Sequence, residues 1–208
     1  MKFGDAYAPN KRYSERNENE YYPTPPIATL SLLKNSSVSG PIWECAAGRG
    51  HISKELVRNG HRVVSTDLFS YDHPLVDVTT GVDFLTAPRP DGVYSLITNP
   101  PFKSNLPERL IKRMIDDNGM TYLALFCRLT FMESRRRYEL FKRLPPTSVL
   151  AFSERIQSNE RYFEENNGLG GMVAYAWFIW DYRWNRYRPD IETKLSWVRP
   201  SDYVGELT

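Results

Sequence analysis

The sequence is short of cysteine, of long apolar runs and of any excess charge of one sign, and each shortage removes a class of explanation. Cys45 and Cys127 fall in different segments, without the paired spacing of a zinc site or a disulfide framework, so reduced thiols and no structural metal are expected. No apolar stretch approaches the roughly 20 residues that span a bilayer, which leaves a membrane role without support. The first residues, Met1 to Asp5, lack the basic segment and apolar core of an export signal, and a cytoplasmic location is expected. Lys and Arg total 27 against 25 Asp and Glu, a net charge of +2, so total charge does not announce a nucleic-acid binder. Local clustering has to carry that argument. Repeats and low-complexity tracts are also missing.

What remains is an ordinary soluble composition, 41% hydrophobic and 25% charged over 208 residues, which suits one domain. Residues 1–21 are polar and poor in aliphatic side chains, so a flexible N-terminal arm is expected there. A single α/β domain is expected over 22–182, with 183–208 as a C-terminal extension.

Apolar spacing predicts a helix from Ile27 to Lys34, entered through the proline-rich Tyr22-Pro23-Thr24-Pro25-Pro26. Ile42 to Cys45 reads as a strand that runs into Ala46-Ala47-Gly48-Arg49-Gly50 and a helix carrying Ile52, Leu56 and Val57. Gly60 closes that helix, and Arg62 to Asp67 is a second strand ending in a carboxylate. Val93 to Thr98 predicts a strand leading into Asn99-Pro100-Pro101-Phe102, followed by a helix with Leu106, Leu110 and Met114. Thr121 to Phe126, Ser148 to Phe152 and Met172 to Trp180 are strand-like, and Arg135 to Leu144 is helix-like. This alternation predicts a mainly parallel sheet with an antiparallel strand near its edge, the sheet pattern ending near Asp181.

In such a sheet, ligands bind beyond the carboxyl ends of the strands. Gly48 and Gly50 let the backbone approach a ligand closely, or simply make a turn. Glu44, just before them, offers an acceptor to a cationic amino group or a hydroxyl. Asp67 is placed to accept from the two hydroxyls of a ribose, or to cap a helix. Asp83-Phe84-Leu85 pairs a carboxylate with an aromatic that suits an adenine ring, or belongs to core and cap. Asn99-Pro100-Pro101-Phe102 is the most specific segment. Its prolines lack backbone donors, so their carbonyls and the Asn side chain act as acceptors for an NH2 group. Two acceptors on the protons of a planar NH2 would localise the nitrogen lone pair toward an incoming methyl, with Phe102 stacked on the ring. Phosphate-contact candidates are Lys103, Arg128, Arg135 to Arg137, Arg155, Arg161, Arg183, Arg186 and Arg188, the Arg135 to Arg137 run reading first as a solvated helix face. Arg155 and Arg161 flank a segment ending in glycines that would edge the substrate, with Tyr162 and Phe163 stacking there or packing in the core. Cys127 reads as a small residue near a strand end, not as a nucleophile for cytosine C5 chemistry.

Taken in order, Glu44-Cys45-Ala46-Ala47-Gly48-Arg49-Gly50, Asp67, Asp83-Phe84-Leu85 and Asn99-Pro100-Pro101-Phe102 resemble the class I N6-adenine methyltransferases, especially small phage and prophage types. The resemblance covers roughly residues 22–182. It extends to Tyr22-Pro23-Thr24-Pro25, similar to the family's N-terminal cofactor motif, and to the late aromatic strand Tyr175 to Trp180, while Cys45 stands where many members carry Pro. It implies a Rossmann-like sheet and S-adenosylmethionine held by Tyr22, Thr24, Pro25, Glu44, Ala46, Gly48, Gly50, Asp67, Leu68, Asp83, Phe84 and Asn99. The first motif would hold the methionine part, Asp67 the ribose and the Asp-Phe pair the adenine. Asn99, Pro100, Pro101 and Phe102 would be catalytic, and Lys103, Arg155 and Arg161 would contact a nucleic acid, DNA first. RNA adenine N6 and protein glutamine N5 are the alternatives, because enzymes for both share the Asn-Pro-Pro-aromatic segment and a planar NH2 target. No N-terminal helical substrate domain of the glutamine-methylating type is visible. Recognition sequence and oligomeric state are not encoded in these motifs.

Overall fold

Along the strand Tyr122–Arg128, successive side chains enter opposite cores: Leu123 and Leu125 face one layer, Tyr122, Ala124 and Phe126 the other. That strict period of two, with both faces apolar, is what a central strand covered by helices on each side requires. The computed structural model describes residues 21–117, 119–183 and 191–207. Its elements in chain order are α1 (Pro26–Asn35), β1 (Ile42–Glu44), α2 (His51–Arg58), β2 (Val63–Ser65), β3 (Ser95–Thr98), α3 (Leu106–Asp116), β4 (Tyr122–Arg128), α4 (Arg135–Arg143), β5 (Ser148–Phe152), α5 (Arg161–Asn166), β6 (Tyr175–Asp181) and β7 (Lys194–Val198), with short 3₁₀ turns between. No described helix is long and apolar enough to cross a membrane.

The seven strands form one sheet in the order β2-β1-β3-β4-β6-β5-β7. All pairings are parallel except those of β6, which runs antiparallel to both β4 and β5. Helices α1 and α2 cover one face through Ile27, Leu32, Ile52 and Leu56, and α3 and α4 cover the other through Leu110, Ile111, Met114 and Leu140. Pro26 occupies the first turn of α1, where a missing N–H costs nothing, and the buried Trp177 indole donates to the Ala28 carbonyl at 2.8 Å, fastening α1 to β6.

The sheet does not end at Asp181. The segment expected as a C-terminal extension supplies β7, paired in parallel with β5 from Ser148↔Lys194 to Phe152↔Val198. As an edge strand it exposes Leu195 and Trp197 and buries only Val198, so it lacks the apolar signature by which the other strands are recognised. The arm expected over 1–21 lies outside the described residues except for Tyr21, which is packed, and Arg186 and Arg188 also lie outside them.

Candidate active site

The carboxyl ends of β1, β2 and β3, adjacent in the sheet, open into a cavity of about 300 Å³. Of the predicted cofactor residues, Tyr22, Thr24, Glu44, Ala46, Gly48, Asp67, Leu68, Asp83, Phe84 and Asn99 line it; Pro25 and Gly50 do not. Pro101 and Lys103 line it as well, whereas Pro100 and Phe102 stand outside its wall, as do Arg155 and Arg161.

The glycine loop takes a backbone path that favours glycine at two positions. Gly48 has φ +56, its N–H donates to Asp67 Oδ2 at 2.7 Å, and a Cβ there would sit 2.4 Å from the Tyr21 ring. Gly50, at φ +87, caps α2 in a left-handed conformation, and a Cβ would meet Val76 Cγ2 at 2.5 Å. Gly50 therefore supports the loop from behind the cavity. Asp67, at the end of β2, is 6% exposed. Its second oxygen accepts from the Phe69 N–H at 2.8 Å, so the carboxylate is fixed by the loop on one side and its own turn on the other. Burial pushes its carboxyl up, opposed by the Phe69 and Gly48 N–H bonds. Carboxylate oxygens accept more than one hydrogen bond each, so these backbone bonds leave acceptor capacity.

Glu44, 1% exposed, is pinned to the start of α2: the Ser53 N–H donates to Oε2 at 2.7 Å and the Ser53 hydroxyl bonds to the same atom. These bonds leave Oε1 as the unused acceptor. Burial, with the nearby Asp67 charge adding, pushes the Glu44 carboxyl up to about 8. Asp83 Oδ1 accepts from the Leu85 N–H at 2.9 Å, an Asx turn that sets Phe84 against the cavity.

At the end of β3, Asn99 Nδ2 donates to the Tyr22 carbonyl at 2.9 Å and to Thr24 Oγ1 at 3.0 Å. This fixes the amide orientation, since the two acceptors face the NH2 end, and leaves Oδ1 for another donor. The two proline-rich segments, distant in sequence, are thus one structure. A second link joins them: the Arg128 guanidinium, at the end of β4, lies 5.8 Å from the Tyr22 ring centre and 5.6 Å from that of Phe102.

Three other basic candidates are committed elsewhere. Arg136 and Arg137 reach the buried Glu108 at 3.0 and 2.9 Å, and Arg137 also covers the Phe131 ring, so these two bind α4 to α3 while Arg136 stays more than half exposed. Arg183 pairs with Asp181 and reaches Ser39 beside the start of β4, the opposite end of the sheet from the cavity. Arg161 is mostly exposed, 3.6 Å from Glu165 at the start of α5. Phe163 meets the His51 ring edge-on at 5.4 Å, a packing role. Cys45 and Cys127 are fully buried and burial pushes both thiols up, which keeps them protonated.

Sequence reasoning missed Tyr21, His51, Phe69, Tyr71 and Arg109, all of which line the cavity. Tyr21 adjoins a recognised motif and was one position from detection; Tyr71 sits in a polar loop with no pattern of its own.

No family model matches this chain, and no curated protein matches it in sequence. Solved structures do. A Listeria monocytogenes protein assigned as a class I S-adenosylmethionine-dependent methyltransferase superposes with a TM-score of 0.60 at 10% identity, over 90% of this chain and 68% of that one. A Pyrococcus horikoshii protein assigned as an RNA methyltransferase gives 0.52 at 13% identity, over 78% and 87%. The 23S rRNA methyltransferase ErmE gives 0.51 at 16% identity, over 77% and 68%. With seven strands among the described residues, one of them antiparallel to its neighbours, and helices on both faces, the chain has the Rossmann-like fold of the class I methyltransferases.

Proposed function

We propose that this chain is an S-adenosylmethionine-dependent methyltransferase acting on the N6 of adenine in nucleic acid, with DNA as the leading substrate. The observation that carries the proposal is the Asn99 amide, locked by Tyr22 and Thr24 so that its oxygen is the free acceptor beside the cavity. RNA is the second reading, favoured by the likeness in fold to ErmE and to the Pyrococcus protein.

The cavity fits the cofactor by its donor set. Glu44 Oε1 is a buried acceptor suited to an ammonium, Asp67 presents carboxylate oxygens suited to paired hydroxyls, and Asp83 with Phe84 suits an amino-substituted aromatic ring. When bound, the cofactor supplies a methyl group on a sulfonium. Asn99 Oδ1 accepts one target N–H and the Pro100 carbonyl the other, which holds the nitrogen lone pair toward the cavity. Phe102, steadied by Arg128, stacks on the target ring. As the nitrogen gains positive charge its protons become more acidic, and these two fixed acceptors strengthen with the developing charge. One proton then leaves to water.

Cofactor binding is expected to release a proton. Glu44, with its carboxyl at about 8, is mostly protonated at neutral pH until a cation arrives, and pairing lowers its pKa. Affinity is therefore greatest near pH 8, where Glu44 ionises while the ligand ammonium persists, and falls by up to about tenfold per pH unit below it. Calorimetry with S-adenosylhomocysteine between about pH 6 and pH 8 checks this; Glu44→Gln abolishes the slope, and a flat parent profile contradicts the assignment. The reading as a whole is tested by incubating the protein with methyl-labelled cofactor and, in parallel, duplex DNA, single-stranded DNA, RNA and protein extract. Label in DNA is the expected result; label in RNA moves the substrate, and label in protein alone overturns the nucleic-acid reading.

A further inference from the structure

The connection from β5 to β6 reaches the glycine loop through one carboxylate. Glu160, immediately before α5, accepts from the Tyr21 hydroxyl on Oε1 at 2.7 Å and pairs through Oε2 with the Arg49 guanidinium. His51 Nε2 lies 3.5 Å from Oε1. Burial holds the His51 imidazole at about 4, so it meets Glu160 as a neutral ring. The three side chains come from three places: the segment entering α1, the glycine loop and the first turn of α2. Two apolar contacts bring the same connection down on this corner. Phe163 packs edge-on against His51, and Gly168 lies so close to Pro25 that a Cβ would fall 2.3 Å from the proline Cβ.

Tyr21 is the side chain that this arrangement controls. Its ring covers Gly48 and packs on Tyr71, the centroids 4.8 Å apart at 36°. Tyr21, Gly48, His51 and Tyr71 all line the cavity, whereas Glu160 stands behind them. A ligand lying along the glycine loop would have this ring beside it.

We propose that Glu160 is a positioning residue that fastens the Tyr21 roof over the glycine loop, so that the lifetime of the bound cofactor is set in part by a side chain that never touches it. The proposal rests on the cofactor reading above. It explains why a carboxylate from a polar surface connection is surrounded by a phenol, a guanidinium and an imidazole, none of which the apolar core needs. A surface ion pair would contribute little by itself; what matters here is that the partners are the roof.

The test is the release of S-adenosylhomocysteine from the full chain, followed by stopped-flow displacement for the parent, Glu160→Ala, Tyr21→Phe and the double variant. Tyr21→Phe keeps the ring over Gly48 and removes the hydroxyl, with its bond to Glu160 and its longer contact to His51 Nδ1. Glu160→Ala is expected to release the ligand about tenfold faster and Tyr21→Phe about threefold faster, with association little changed. Because both variants break the Tyr21–Glu160 bond, the double variant should fall short of the product of the two single effects. Parent-like release by Glu160→Ala, or effects that multiply in full in the double variant, overturns the roof while leaving the cofactor reading intact. A parent that does not bind S-adenosylhomocysteine overturns the cofactor reading, and the roof with it.

Discussion

Asn99→Ala should lower single-turnover methyl transfer by about a hundredfold or more with cofactor and substrate saturating, while cofactor affinity shifts by less than about tenfold. The large effect follows from what the side chain does in the two states. In the ground state, a hydrogen bond from a neutral NH2 to Oδ1 replaces one to water and contributes modestly. In the transition state the nitrogen carries partial positive charge, and a fixed acceptor strengthens where water would have to reorient. The small effect on cofactor follows from the other end of the amide. Nδ2 holds the Tyr22 carbonyl and Thr24 Oγ1, two residues that line the cavity, so truncation loosens that wall without removing a ligand contact of the carboxylates. Rapid-quench measurement of the first turnover separates the two. A parent rate from Asn99→Ala removes the Asn-Pro-Pro-Phe segment from the chemistry.

Asp67→Ala should weaken cofactor binding about ten- to a hundredfold, the loss of a charge-assisted bond to a hydroxyl worth roughly 1.5–3 kcal/mol. The geometry adds a consequence in the free protein. Gly48 N–H and Phe69 N–H each give their bond to this carboxylate, so the substitution leaves both donors without it. The unliganded variant should therefore melt at lower temperature, by an amount reflecting about 1–3 kcal/mol for the buried Gly48 N–H left without its acceptor. Calorimetry reads the ligand bond and thermal unfolding reads the loop. Unchanged cofactor affinity in a folded variant would take Asp67 out of the site.

Much of this arrangement was legible in the sequence because the central strands are apolar on both faces. The run Tyr122 to Phe126 and the run Tyr175 to Trp180 announce buried strands, and at or just past the end of each earlier strand stands a residue whose type is out of place in a core: Glu44, Asp67 and Asn99. Where chemistry sits at strand ends, it can be read from where the apolar pattern stops. Three features escaped for physical reasons. β7 is an edge strand with exposed Leu195 and Trp197, so it has no buried face to give it a period. α5 is six residues long with no fully buried side chain, too short for a helical stripe. Glu160 lies more than a hundred residues from Arg49 and from Tyr21, among other charged side chains, and its role exists only through the tertiary fold. The basic run at Arg135 to Arg137 shows the converse, since the partner that absorbs Arg136 and Arg137, Glu108, stands on another helix.

The central claim is that the cavity and the Asn99 amide together deliver a methyl group to an adenine amino nitrogen. Digesting the DNA to nucleosides after incubation with cofactor carrying a deuterated methyl, and weighing each nucleoside, tests it directly. The account predicts deuterated N6-methyladenine with parent protein and its near absence with Asn99→Ala. Label on cytosine, label on any other atom of adenine, or equal yield from the variant would contradict it.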